Sequence, residues 1–162
     1  MDLVLVLDNV RSAHNVGALL RTADGLGVSR VHTGGLTPHP RQASDRRLPH
    51  VIKNAEHKLA KTGLGAERTL NIIHYDETTE ALDELSEAGY YLVGLEQTAN
   101  ALDLKSWRRP RRPLALVVGH ERLGLSKSVL KRLDATLMIP MRGRKESLNV
   151  AVAGAIAMYQ LS

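Results

Sequence analysis

The sequence predicts an α/β fold: a mostly parallel sheet with helices on both faces. Three observations carry this. The runs LVLVL (3–7) and LALVV (114–118) are apolar without alternation, as strands buried on both sides must be. Other stretches space their apolar residues at the helical period. Strand-like and helix-like segments alternate from end to end, the pattern of crossover connections. The 162 residues, 43% of them hydrophobic, suit one domain with a sizeable core. No internal repeat, low-complexity tract or boundary interrupts them, so 1–162 is expected to form a single unit.

The elements follow in order. Leu3–Leu7 reads as a buried strand. Ser12 is placed to cap a helix from Ala13 to Leu26, with Gly27 at its end. Val28–Thr33 is a second strand, and 34–50 a polar loop carrying Arg41, Arg46 and Arg47. A helix over Val51–Lys61 and a strand over Thr69–Tyr75 come next. Thr78–Ala88 is rich in helix formers, sets Leu82 and Leu85 on one face and stops at Gly89. Tyr90–Leu95 is a strand, 96–113 a long connection, and Leu114–Val118 a strand. Ser126 caps a helix to about Leu133. Ala135–Ile139 is the last strand and Leu148–Leu161 the last helix.

Composition removes several function classes. With no Cys there is no disulfide, thiolate metal site or cysteine nucleophile. The seven His show no ligand spacing, so no metal site is expected. The first apolar run is too short for a signal peptide, and no segment approaches the ~20 apolar residues of a membrane span. A soluble cytoplasmic protein is the expectation. The net charge of +5 and pI of about 9.7 favour a polyanion such as RNA. With 3% aromatics, an extended base-stacking surface is not expected.

Three motifs carry candidate chemistry. The first is Asn15-Val16-Gly17-x-x-x-Arg21-Thr22. A glycine inside a helix costs ~1 kcal/mol relative to alanine, and close approach by another segment is one reason to keep it. Arg21, one turn on, is either a surface arginine or a fixed guanidinium able to hold phosphate bidentately. The second is Gly119-His120-Glu121-Arg122-Leu123-Gly124-Leu125-Ser126. It has the glycines of a phosphate loop, but Leu125 stands where the lysine must be, which rejects that reading. The third runs from Ile139-Pro140-Met141 to Ser147-Leu148-Asn149-Val150. Ser147 and Asn149 either cap a helix or face one pocket with Glu121. The second and third motifs follow strands whose ends are expected to be adjacent. Ala151, Gly154, Ala155 and Met158 form a narrow stripe that admits a second helix, from this chain or another subunit.

In this order the motifs resemble the three signatures of the SpoU family of RNA ribose 2′-O-methyltransferases, within the SPOUT superfamily. Lys61-Thr62-Gly63-Leu64-Gly65-Ala66-Glu67 also resembles a stretch common there, so the likeness spans nearly the whole chain. His120 departs from it, since many members have Asn at that position. The resemblance implies a C-terminal deep trefoil knot, S-adenosylmethionine as cofactor, RNA (tRNA or rRNA) as substrate, a homodimer, and no metal. It implies that Arg21 is the key catalytic residue, reaching the cofactor of the other subunit, with Asn15, Glu121, Ser147 and Asn149 shaping the site. The cofactor should meet backbone near Leu95, Gly119, Ile139 and Leu148, with Met141 and Val150 beside the adenine. RNA should be gripped by Arg41, Arg46, Arg47, Arg142, Arg144 and Lys145, and by Arg108, Arg109, Arg111 and Arg112 of the WRRPRRP run. No accessory RNA-binding domain is expected within 1–162. A non-catalytic RNA-binding protein that keeps the fold is the alternative.

Overall fold

A computed structural model describes residues 2–162. Its elements are β1 (Leu3–Asp8), α1 (Ala13–Gly25), β2 (Arg30–Gly34), α2 (Pro49–Gly63), α3 (Ala66–Thr69), β3 (Ile72–Tyr75), α4 (Thr78–Glu87), β4 (Tyr91–Leu95), β5 (Leu102–Asp103), β6 (Leu114–Val118), α5 (Lys127–Leu130), β7 (Ala135–Met138) and α6 (Val150–Leu161). Seven strands form one sheet in the order β3-β2-β1-β6-β4-β7-β5. Every pairing is parallel.

The continuous apolar runs follow from burial on two faces. Successive strand side chains point to opposite sides. Leu3, Leu5 and Leu7 of β1 and Leu114, Leu116 and Val118 of β6 therefore join Val16, Leu19 and Leu20 of α1 and Ala157 and Met158 of α6 in one core. Val4, Val6, Ala115 and Val117 join Leu82 and Leu85 of α4 and Val129 of α5 in the other. No helix among the described residues is long and apolar enough to cross a membrane.

Gly17 is explained by the close approach of α2. A Cβ on it would lie 2.1 Å from Thr62 Oγ1 and 2.6 Å from the Leu59 carbonyl oxygen. Thr62 Oγ1 also donates to the His14 carbonyl at 2.9 Å, so α1 and α2 are bonded where they are closest. The stripe of α6 faces inward at Gly154, whose Cβ would lie 2.5 Å from Leu19 Cδ2.

Several boundaries differ from the sequence reading, for local reasons. The second strand starts at Arg30, because the Val28 amide still bonds to Ala23 O and closes α1. The third strand starts at Ile72 and not Thr69, because Thr69 closes the short helix α3. The long 96–113 connection contains β5, two residues pairing with β7. α5 ends at Leu130 and not Leu133, since Asp134 N is drawn to Leu92 O on β4. α6 starts at Val150, because Asn149 Oδ1 accepts the Ala151 and Val152 amides at 2.8 and 3.4 Å as its cap.

His32 is an acid-sensitive point in the core. It is 2% exposed, and neither ring nitrogen has a hydrogen-bond partner. Burial first, and then the Arg30 charge, push its pKa down to about 4, with Glu84 opposing weakly. The ring is neutral when folded, while in the unfolded chain it titrates near 6.5. Below 6.5 the unfolded state binds the extra proton, so stability is lost as pH falls from 6.5 toward 4. This group alone is expected to remove roughly 2 kcal/mol between pH 7.5 and pH 5. Urea unfolding of wild type and His32→Leu at both pH values checks this, because the stability gap between the two proteins must shift by that amount.

Candidate active site

A cleft opens beyond the carboxyl ends of β4, β6 and β7, where parallel α/β sheets place their ligands. Its lining comes from three strand exits and the start of α6. Leu95 ends β4 and Glu96 and Gln97 follow it, while Val118 ends β6 and Gly119 to Arg122 and Gly124 follow it. Met138 ends β7 and Ile139 and Met141 follow it, and Ser147, Leu148, Val150 and Ala153 belong to α6 and its approach. The expected neighbours β6 and β7 are not adjacent, since β4 lies between them. The site is thus built on three strands instead of two, and β4 adds Glu96 and Gln97, which the sequence reading missed. The available signal was an acidic residue placed directly after an apolar strand.

Carboxylates at strand ends hold the turn 119–126. Asp8, buried at the end of β1, accepts the Ser126 amide at 3.3 Å and the Thr78 hydroxyl at 2.6 Å. Glu96 accepts the Leu125 amide at 2.9 Å and the Gln97 amide at 2.9 Å. Ionised acceptors make the stronger hydrogen bonds. Gly124 is required between them. Its φ is +66°, and a Cβ would lie 1.9 Å from Glu96 Oε2. This glycine therefore serves the turn itself. Ser126 Oγ then caps α5 by accepting from Val129 N.

The three motifs meet in one line of hydrogen bonds. Asn149 Oδ1 is occupied by the α6 amides, so its Nδ2 is left to donate, and it does so to Asn15 Oδ1 at 3.1 Å. Asn15 Nδ2 in turn donates to Glu121 Oε1 at 3.2 Å. Both amide orientations are forced, because helix amides only donate and an ionised carboxylate only accepts. Glu121 also takes the Ser12 amide at 2.9 Å and the Arg11 amide at 3.3 Å, just before α1. Burial pushes its carboxyl up, but the bonds from Ser12, its own amide, Asn15 and Arg11 outweigh burial and hold it below the usual carboxylate range. Glu121 is therefore a fixed anion that positions α1 and not a proton acceptor in waiting.

The six residues expected to meet the cofactor, Leu95, Gly119, Ile139, Met141, Leu148 and Val150, all line the cleft, as do Glu121 and Ser147. Asn15 and Asn149 stand behind it through the relay. Arg21 does not line it. It stands exposed on α1, one turn beyond Gly17, with no hydrogen bond or ion pair among the described residues. The cleft encloses about 180 Å³, below the ~300–1,000 Å³ of sites that enclose a small molecule. A ligand of nucleoside size is thus covered on one side and open on the other.

Three arginines expected to grip RNA are committed to the protein itself. Arg47 pairs with Asp45 at 2.6 Å and donates to the His39 and Pro40 carbonyls, closing its own loop. Arg109 donates to the carbonyls of Leu161 and Asp2, fastening the 96–113 arm to both chain ends. Arg112 likewise donates to Gly89 O. Arg41, Arg46, Arg108, Arg111, Arg142 and Arg144 are exposed.

Comparison with known proteins finds relatives of the whole chain in sequence and in fold. The family described as SpoU rRNA Methylase matches residues 2–159. A Staphylococcus haemolyticus protein assigned to the TrmH family of tRNA/rRNA methyltransferases is 33% identical over 161 residues, which is 99% of this chain and 58% of that protein. The chain thus spans a little over half the length of the curated relatives it matches. The SpoU methyltransferase AviRb from Streptomyces viridochromogenes, solved in complex with the cofactor AdoMet, superposes with a TM-score of 0.74 at 27% identity, covering 99% of this chain and 56% of that one. A structure solved for insights into the 2-OH methylation of C/U34 on tRNA gives a TM-score of 0.74 at 30% identity, covering 98% of this chain and 93% of its own. This chain belongs to the SpoU rRNA Methylase family.

Proposed function

We propose that this chain is an S-adenosylmethionine-dependent RNA methyltransferase acting on a ribose 2′-hydroxyl of tRNA or rRNA, as a cytoplasmic homodimer. One observation carries the reading: the line Glu121–Asn15–Asn149 joins all three motifs beside a cleft lined by every residue expected to meet the cofactor. The cleft's mixed character fits that cofactor. Leu95, Ile139, Met141, Leu148 and Val150 give an apolar wall for a flat base, and strand-end backbone and the polar rim from Glu96 to Arg122 suit its hydroxyls and charged end.

When bound, S-adenosylmethionine supplies a methyl group on a sulfonium. The protein must place the 2′-oxygen in line with that methyl and ease loss of its proton. Arg21 serves both by position and charge, while the proton itself leaves to water on the open side of the cleft. Its guanidinium holds an RNA phosphate beside the acceptor sugar and stabilises the negative charge that develops on the 2′-oxygen. Since Arg21 lies outside its own chain's cleft, it acts at the partner subunit's cleft. The surface of α6 supports dimerisation. Val152, Ile156 and Tyr159 are 49%, 42% and 75% exposed on one face of a helix that is apolar on every side. A helix of that composition needs cover all round. Exposed Arg41, Arg46, Arg108, Arg142 and Arg144 contribute phosphate contacts. We propose further that 1–162 forms one SPOUT methyltransferase domain, with the segment 139–149 closing its trefoil knot against the ends of β4 and β6.

The test is transfer of labelled methyl from S-adenosylmethionine to total tRNA and to rRNA, offered separately. Label in either one supports the reading. Binding of the cofactor with no transfer to any RNA would favour a non-catalytic RNA-binding protein.

A further inference from the structure

His120 uses its two ring nitrogens for two different tasks. The turn after β6 closes through Gly124 N donating to His120 O at 2.9 Å. Within it, the amides of Arg122 and Leu123 point at His120 Nδ1, at 3.0 and 3.3 Å. Backbone amides only donate, so Nδ1 carries a lone pair. A neutral imidazole with an acceptor at Nδ1 has its hydrogen on Nε2. The tautomer is thus assigned by two backbone donors. Nε2 lies on the far edge of the ring from the turn, the residue is half-buried, and it lines the cleft.

That Nε2–H has no partner among the described residues. The two carboxylates on the same rim are already loaded: Glu96 with the amides of Gln97 and Leu125, and Glu121 with Arg11, Ser12 and Asn15. We infer that His120 is a ligand-orienting residue whose Nε2–H donates to an acceptor oxygen of the molecule bound in the cleft. This deepens the proposed function and rests on it. The oxygen belongs either to the cofactor (a carboxylate or ribose hydroxyl) or to an RNA phosphate entering from the open side.

Asparagine separates the two tasks. Its Oδ1 reaches the position of Nδ1 and can accept the same two amides, as Asn does in Asx turns. It has no atom at the position of Nε2. His120→Asn is therefore expected to melt like wild type while losing the donor, whereas His120→Ala loses both nitrogens and melts lower.

The experiment measures S-adenosylmethionine affinity by calorimetry and the KM for RNA in methyl transfer, for wild type and both variants. With the acceptor on the cofactor, His120→Asn weakens cofactor affinity by about tenfold, the worth of one hydrogen bond to a charged or strongly polar group. With the acceptor on the RNA, the KM for RNA rises by a similar factor and cofactor affinity is unchanged. A loss seen in His120→Ala but in neither measurement for His120→Asn assigns His120 to the turn alone and overturns the inference. If wild type neither binds the cofactor nor transfers methyl, the proposed function fails first and takes this inference with it.

Discussion

Replacing Arg21 with alanine should abolish methyl transfer while leaving the affinity for S-adenosylmethionine unchanged. The physical ground is separation. Arg21 stands exposed on α1, while the cleft is built from the exits of β4, β6 and β7 and the start of α6. Arg21 neither lines the cleft nor makes a hydrogen bond or ion pair with a residue that does, among the described residues, so its removal should leave the binding surface intact. Removing one positioned donor at a developing oxyanion costs ~10²–10³ in rate. Arg21→Lys keeps the charge but not the planar fork, and should recover only part of the activity. Single-turnover rates and calorimetry on the same preparations check both halves. Transfer within a few-fold of wild type in Arg21→Ala would remove this residue from the chemistry. If the site is shared between subunits, mixing Arg21→Ala with a protein disabled in the cleft should restore transfer in the mixed dimer.

Asn15→Asp should be the most damaging conservative change in the relay. Asn15 Nδ2 donates to Glu121 Oε1 at 3.2 Å while its Oδ1 accepts from Asn149. Aspartate puts an oxygen where that donor stood and sets two carboxylates face to face. Like charges so close cannot both ionise freely, so one of the pair acquires a raised pKa. The folded variant then binds a proton that its unfolded chain has already released, and stability falls as pH rises through that raised value. The variant should be destabilised by ~2 kcal/mol relative to wild type at pH 8, with the gap closing toward pH 5. Displacement of α1 from the cleft by even ~1 Å can cost ~10² in transfer rate. Denaturant unfolding at the two pH values is the measurement. A gap that stays constant with pH would show that the two side chains do not share this line.

Much of the fold was legible because burial writes itself directly into residue type. The runs at 3–7 and 114–118 had to be strands covered on both faces, and the capping side chains of Ser12 and Ser126 mark helix starts that the structure retains. The six cleft residues were legible through motif likeness, and the chain folds them into one cleft. Strand order was not legible. An apolar run such as Tyr91–Leu95 states that it is buried but not which strand lies beside it, so the position of β4 between β6 and β7, and with it Glu96 and Gln97, stayed hidden. Very short elements were also invisible. The two residues of β5 and the four of α3 are too few to show a period. Side-chain commitments were the third blind spot. Arg47 and Arg109 read as free cations, because nothing in a string of residues shows that their guanidinium groups are filled by Asp45 and by the carbonyls of Asp2 and Leu161. The same holds for His120, whose position in the turn became evident only with the amides of Arg122 and Leu123 in place.

The most direct measurement is the identity of the methylated product. RNA treated with the protein and isotopically labelled S-adenosylmethionine is digested to nucleosides and analysed by mass spectrometry. Label confined to the ribose of a 2′-O-methylnucleoside is the expected result. Label on a base, or none in any RNA offered to a protein that binds the cofactor, would contradict it.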